Sequence, residues 1–192
     1  MSPGRPPQRT RFHPERLLPF ACIAAAVALF ASELTTTFHF VPPGGEALCD
    51  QQASDRHHFA LGVIALFAIG AVVVAVLGAS RPAAIAVAIA GLAALALFLI
   101  VDLPDANSVG TLGDSCTSIP NPLGAKAVPQ AGFWLELAGA LALAFSGAIL
   151  ATLTPDQLAT LRPRRLGGPP SAQGNADAAA DQPTRAPGAP RN

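Results

Sequence analysis

Two stretches of the chain, Phe59–Ala79 and Ala83–Val101, contain no charged side chain at all. They are apolar on every face, which excludes an amphipathic helix on a soluble domain, where one face must meet water. At a rise of about 1.5 Å per residue, each reaches about 28–31 Å as a helix, close to the thickness of a bilayer's hydrocarbon core. Two further stretches, Leu17–Leu34 and Phe133–Leu153, are of similar length and carry one charge each, Glu33 and Glu136. Composition agrees: 12% of residues are charged, against about a quarter in soluble domains. Four membrane spans are therefore predicted, at about 17–34, 59–79, 83–101 and 133–153.

The arginines orient these spans. Arg5, Arg9, Arg11 and Arg16 precede the first, Arg81 sits in the tight turn between the second and third, and Arg162, Arg164 and Arg165 follow the fourth. The intervening loops, 35–58 and 102–132, hold only Arg56 and Lys126. The positive-inside rule then puts both termini in the cytoplasm and both long loops outside. The first apolar stretch follows arginines as a signal peptide does, but small residues at cleavage spacing are poorly placed around Phe30-Ala31-Ser32-Glu33, so it reads as a retained span. Residues 1–16 form an Arg- and Pro-rich cytoplasmic tail, 17–153 the membrane domain, and 154–192 a second cytoplasmic tail. From about residue 166 the second tail is Gly, Pro, Ala and polar residues and reads as disordered. The fold class is thus an all-α, up-down, four-span bundle. Rows of small residues at intervals of four (Ala71, Ala75, Ala79 and Ala140, Ala144, Ala148) suit close helix packing in lipid. A homo-oligomeric face is the other use for such rows.

Of three cysteines, Cys22 lies inside the first span, while Cys49 and Cys116 fall one in each outer loop. Two loops on an oxidising side with one cysteine each suggest a disulfide. Closing about 67 residues is worth roughly 4 kcal/mol at most by chain entropy. Two free thiols or a shared metal are the alternatives. No C-x-x-C or vicinal pair is present, which argues against a thiol oxidoreductase.

The up-down topology brings a ring of ionisable groups to the outer mouth: Glu33, Asp55, Arg56, His57, His58, Asp102 and Glu136. The expected roles are structural. Ser54 or Asp55 can cap the second span, Arg56 can pair with Glu33 or Glu136, and the histidines can sit at the interface. No metal site is expected, although Asp55 and His58 share a helical face at three apart and, with Glu33 or Glu136, are the residues that can ligate a divalent ion. Both glutamates lie about one turn inside the border, where snorkelling can accommodate them. Phe38, Phe40, Phe59, Phe133 and Trp134 read as an interfacial aromatic belt. The second outer loop is dominated by turn residues, so any strand there is short.

No phosphate-binding glycine loop, nucleophile elbow or His-Glu-x-x-His occurs, and no basic patch interleaved with aromatics points to nucleic acid. No catalytic residue and no cofactor are assigned. The segment G-F-W-L-E-L-A-G-A-L at Gly132–Leu141, with the Ala-, Arg- and Pro-rich composition, resembles small four-span membrane proteins of actinobacterial type that are themselves uncharacterised. The resemblance implies residence in the cytoplasmic membrane and lends no activity to any residue. The functional expectation is a non-enzymatic accessory, sensing or envelope-interaction protein, with the bilayer and a membrane or envelope protein as partners. The alternative is a small transporter or channel using the outer carboxylates and histidines.

Overall fold

The computed structural model describes residues 17–109 and 124–162. Residues 1–16, 110–123 and 163–192 lie outside the described residues, so the expectation of disorder from about residue 166 and the Cys116 end of the expected Cys49–Cys116 bridge fall there. The described chain is mostly helical. In order it runs α1 (Leu18–Glu33), β1 (Thr36–Val41), β2 (Cys49–Gln52), α2 (Ala53–His57), α3 (Ala60–Gly78), α4 (Arg81–Leu97), α5 (Leu103–Asp105), β3 (Lys126–Pro129), α6 (Ala131–Thr152) and α7 (Pro155–Thr160). A π-helical segment, Phe98–Asp102, joins α4 to α5. Three helices, Ala60–Gly78, Arg81–Asp105 with its π segment, and Ala131–Thr152, are long and apolar enough to cross a membrane. The apolar α1 has 16 residues and is shorter than these.

Small side chains make up much of the bundle interior, alongside a few leucines such as Leu29, Leu61, Leu143 and Leu150. Inside lie Ala25, Ala26, Ala65, Ala68, Ala75, Ala84, Ala94 and Ala140, while Phe20, Leu66, Phe67, Leu92 and Phe145 point outward. Small side chains let backbones approach, which is how helices associate where the surroundings are as apolar as leucine. α6 is the central helix of this packing, against α4 on one side and α1 on the other. A Cβ on Gly91 of α4 would stand 2.3 Å from the Ala144 backbone nitrogen of α6. The predicted small-residue rows are partly internal: Ala71, Ala75 and Ala140 are buried, whereas Ala148 is exposed. Ser80 caps α4 by accepting from the Ala83 N–H, with Pro82 in the first turn.

The all-α expectation is corrected by a three-stranded antiparallel sheet of order β2-β1-β3. The run Thr36-Thr37-Phe38-His39-Phe40-Val41 is β-branched or aromatic throughout, a composition that favours extended backbone. β1 follows α1 directly, β2 leads into α2 and β3 leads into α6. Both long loops therefore contribute strands at the same end of the helices. Phe38 and Phe40 of β1 pack with Ala125, Ala127, Phe98 and Phe133 in a second apolar core, with ring centroids 5.6 Å (Phe38–Phe133) and 4.8 Å (Phe98–Phe133) apart. Three of the five aromatics read as an interfacial belt are thus core residues. Only Phe59 and Trp134 are exposed as a belt requires.

Candidate functional site

Helix register decides which ionisable groups turn inward. On α6 the buried residues Phe133, Glu136, Ala140, Leu143, Gly147 and Leu150 recur every three or four positions. On α1 the buried residues Cys22, Ala25, Ala26, Leu29 and Glu33 do the same. Each glutamate lies on the packed stripe of its helix and is fully buried. Snorkelling is not how the fold accommodates them.

Glu33 has a local task. The backbone breaks between α2 and α3 at His58 and Phe59, both in the left-handed region (φ 50° and 63°), so no adjacent side chain caps α3. Glu33 Oε1 instead accepts the N–H groups of Leu61 (2.8 Å) and Gly62 (3.2 Å). This satisfies two of the orphan donors of that helix and places a carboxylate at its positive end. Neither Ser54 nor Asp55 serves as the cap that was expected.

Asp102 closes the π segment and is fully buried. The widened π turn is a frequent feature of functional positions in helices. The His57 ring donates from Nε2 to Asp102 Oδ2 at 2.8 Å. Arg56 Nε stands 3.1 Å from Asp102 Oδ1, an ion pair without hydrogen-bond alignment, since both atoms lack a hydrogen-bond partner. The guanidinium also donates to the Val101 carbonyl (3.0 Å), Gln51 Oε1 (3.4 Å) and Asp105 Oδ2 (2.5 Å), and lies 5.2 Å from the centre of the Phe38 ring. Arg56 therefore pairs with Asp102 and Asp105, not with Glu33 or Glu136 as anticipated.

Glu136 completes the group. Its Oε1 is 3.9 Å from His57 Nε2, and neither carboxylate oxygen has a hydrogen-bond partner among the described residues. One ligand atom each from His57, Asp102 and Glu136 lie within 4.8 Å of one another, and all three residues are buried. Of the residues singled out from sequence, the fold gathers Arg56, His57, Asp102 and Glu136, with Glu33 at the neighbouring helix start. Asp55 and His58 are exposed. A second polar pair, His39 Nδ1 with Asp50 Oδ1, bridges β1 and β2 on an exposed face. Cys22 is a buried free thiol that donates to Ser146 Oγ at 3.3 Å.

No protein-family model, curated protein or solved structure matches the chain. Its chemistry has to be read from this arrangement alone. The trio can hold a cation or a proton. Among the described residues no serine, cysteine or threonine nucleophile stands against a base in the cluster.

The involvement of Asp102 with His57 was not predicted from sequence. Positions 55 and 58 are linked by a local spacing, whereas the partners His57 and Asp102 are 45 residues apart.

Proposed function

We propose that this chain is a four-span protein of the cytoplasmic membrane, with both termini inside, and that its work is non-enzymatic: an accessory, sensing or envelope-interaction role exercised through the outer sheet. The observation carrying this reading is that sheet. Strands from both long loops converge at the end of the helices opposite the Arg81 turn, and a protein that only filled the bilayer would need no second core there. α1 supports the fourth span because Phe20 and Val27 point outward as the large side chains of the longer helices do. Its shorter length is within what a bilayer adapts to by local thinning. A Cys49–Cys116 bridge between the two loops would fasten the same sheet, since Cys49 opens β2.

Site-specific photo-crosslinking in native membranes tests the role. Probes at the exposed Glu46 and Leu48 of the β1–β2 connection should capture a defined envelope or membrane protein, and capture should persist in a Glu136→Gln variant. Probes at the outward-facing Leu66 and Phe145 should yield lipid alone. Capture from the helix positions and none from the sheet would overturn the reading.

The full burial of Glu33 and Glu136 inside apolar helices favours one alternative, a small transporter using these carboxylates. Reconstituted protein that moves an ion, with flux abolished by Glu136→Gln, would establish it in place of the first reading.

A further inference from the structure

We propose that His57, Asp102 and Glu136 form a binding site for one divalent first-row transition-metal ion, with Zn²⁺ the best fit to the donor set. The proposal goes beyond the reading above and does not depend on membrane orientation, since every atom in it belongs to the packed fold.

The argument begins with charge. Three fully buried carboxylates, Glu33, Asp102 and Glu136, stand at one end of the helices. Among the described residues the Arg56 guanidinium is the permanent positive charge beside this group; it pairs with Asp102 alone of the three and is divided between it and the half-exposed Asp105. Glu33 is served by two backbone N–H groups and Asp102 by Arg56 and His57. Glu136 receives no hydrogen bond on either buried oxygen, and its near cationic neighbour is the His57 ring at 3.9 Å. A buried carboxylate without a hydrogen-bond donor is strongly disfavoured as an anion; a proton or a cation relieves it, and the imidazole and second carboxylate beside Glu136 are the groups that make this place suit a cation.

Geometry says where that cation would sit. The Glu136 oxygens adjoin the imidazole nitrogen that already meets Asp102, and the three ligand atoms lie within 4.8 Å of one another. Zn²⁺ binds His nitrogen at about 2.0–2.1 Å and carboxylate oxygen at about 2.0–2.2 Å, which sets tetrahedral ligand atoms about 3.4 Å apart; His57 and Asp102 would open from 2.8 Å and His57 and Glu136 close from 3.9 Å to take one ion. The elements that supply them are anchored independently. α2 is held through Arg56 to Val101 and Gln51, Asp102 is carried on the π turn, and Glu136 is fixed by the packed stripe of α6. Glu33 Oε2 is a further buried oxygen without a hydrogen-bond partner.

Donor chemistry narrows the ion. Imidazole suits Zn²⁺, Cu²⁺, Fe²⁺ and Ni²⁺, whereas Mg²⁺ and Ca²⁺ prefer all-oxygen sets. Two carboxylates with one imidazole make a hard, mixed set that Zn²⁺ accepts readily, and the Irving–Williams order places Mn²⁺ below it.

The test uses the full chain in detergent, stripped with chelator and then titrated with Zn²⁺, Mn²⁺ or Mg²⁺. Thermal unfolding and bound metal after dialysis are the two readouts. Equimolar Zn²⁺ should be retained and should raise the melting temperature, Mn²⁺ should do so less, and Mg²⁺ should have no effect. Co²⁺ should give visible d–d bands that Zn²⁺ displaces. Glu136→Gln removes a ligand charge without changing shape, so this variant should melt at or above the temperature of stripped wild type yet lose the Zn²⁺ response. Affinity should fall by more than about tenfold, because even outer partners of metal ligands are worth that much. His57→Ala should lose it as well. His58→Ala, Asp55→Asn and His39→Ala should keep it, the last excluding the exposed His39–Asp50 pair as the binding locus. No Zn²⁺ response in wild type, an equal response in Glu136→Gln, or an equal response to Mg²⁺ would each overturn the proposal.

Discussion

Arg56 and His58 are two residues apart, yet the fold gives them opposite weights. Arg56 reaches Asp102, Asp105, Val101 and Gln51 and covers the Phe38 ring, while His58 is exposed. Arg56→Ala strips the buried Asp102 of its cation and should cost about 2–4 kcal/mol, since removing one partner of a buried pair leaves an uncompensated charge. His58→Ala should stay within about 0.5 kcal/mol of wild type, as exposed substitutions usually do. Chemical denaturation in detergent reads both, and equal losses would show that the Arg56 contacts are incidental. Glu33 makes a finer case. Glu33→Gln keeps an oxygen for the Leu61 and Gly62 N–H groups, whereas Glu33→Ala orphans them. The alanine variant should therefore be less stable than the glutamine variant by about 1 kcal/mol, the usual worth of a helix cap. Identical melting of the two would mean that the cap contributes nothing.

At the scale of elements, close approach between α4 and α6 is the feature most exposed to substitution. Gly91→Ala drives a methyl into the Ala144 backbone at 2.3 Å, and overpacking of this kind should cost about 1–3 kcal/mol or more. Gly70 of α3 has no atom within 4 Å of where a Cβ would stand. There, Gly70→Ala should be neutral or stabilising by up to about 1 kcal/mol. If Gly91→Ala proved as harmless as Gly70→Ala in detergent unfolding, the helices would not be packed as described. The helices themselves were legible because long apolar runs have few alternatives in lipid. Their inward faces were harder to see: nearly every residue is apolar, so size has to replace polarity as the signal, and Glu136 goes unnoticed beside Ala140 and Leu143. β1 is legible in the composition of Thr36-Thr37-Phe38-His39-Phe40-Val41, but its pairing is not, since β3 lies beyond the long helices α3 and α4. The Glu33 cap and the His57–Asp102 contact join distant parts of the chain. No local pattern encodes such pairs, since adjacent helical residues diverge by about 100° and register alone selects one histidine over its neighbour.

For the whole molecule, sidedness is the decisive property. With native cysteines replaced, a cysteine at the exposed Glu46 should react with an impermeant thiol reagent in intact cells. One at the exposed Asp156 should react only after permeabilisation, and external labelling at Asp156 would reverse the proposed orientation. Peptide mapping without reduction should recover Cys49 joined to Cys116 and Cys22 as a thiol; alkylation of all three without reduction would leave the loops untied. The strand order adds a consequence for biosynthesis. β1 sits between β2, its near neighbour in the chain, and β3, which is made only after α3 and α4. On the ribosome the hairpin of β1 and β2 can close early, since local contacts form first. Its other edge must wait for β3, and His57 and Asp102 must wait for the helix that brings Glu136. Throughout that interval the nascent protein presents an open strand edge and a polar cluster without its third member. Synthesis of β3 and α6 is therefore the step that closes the sheet and completes the cluster together.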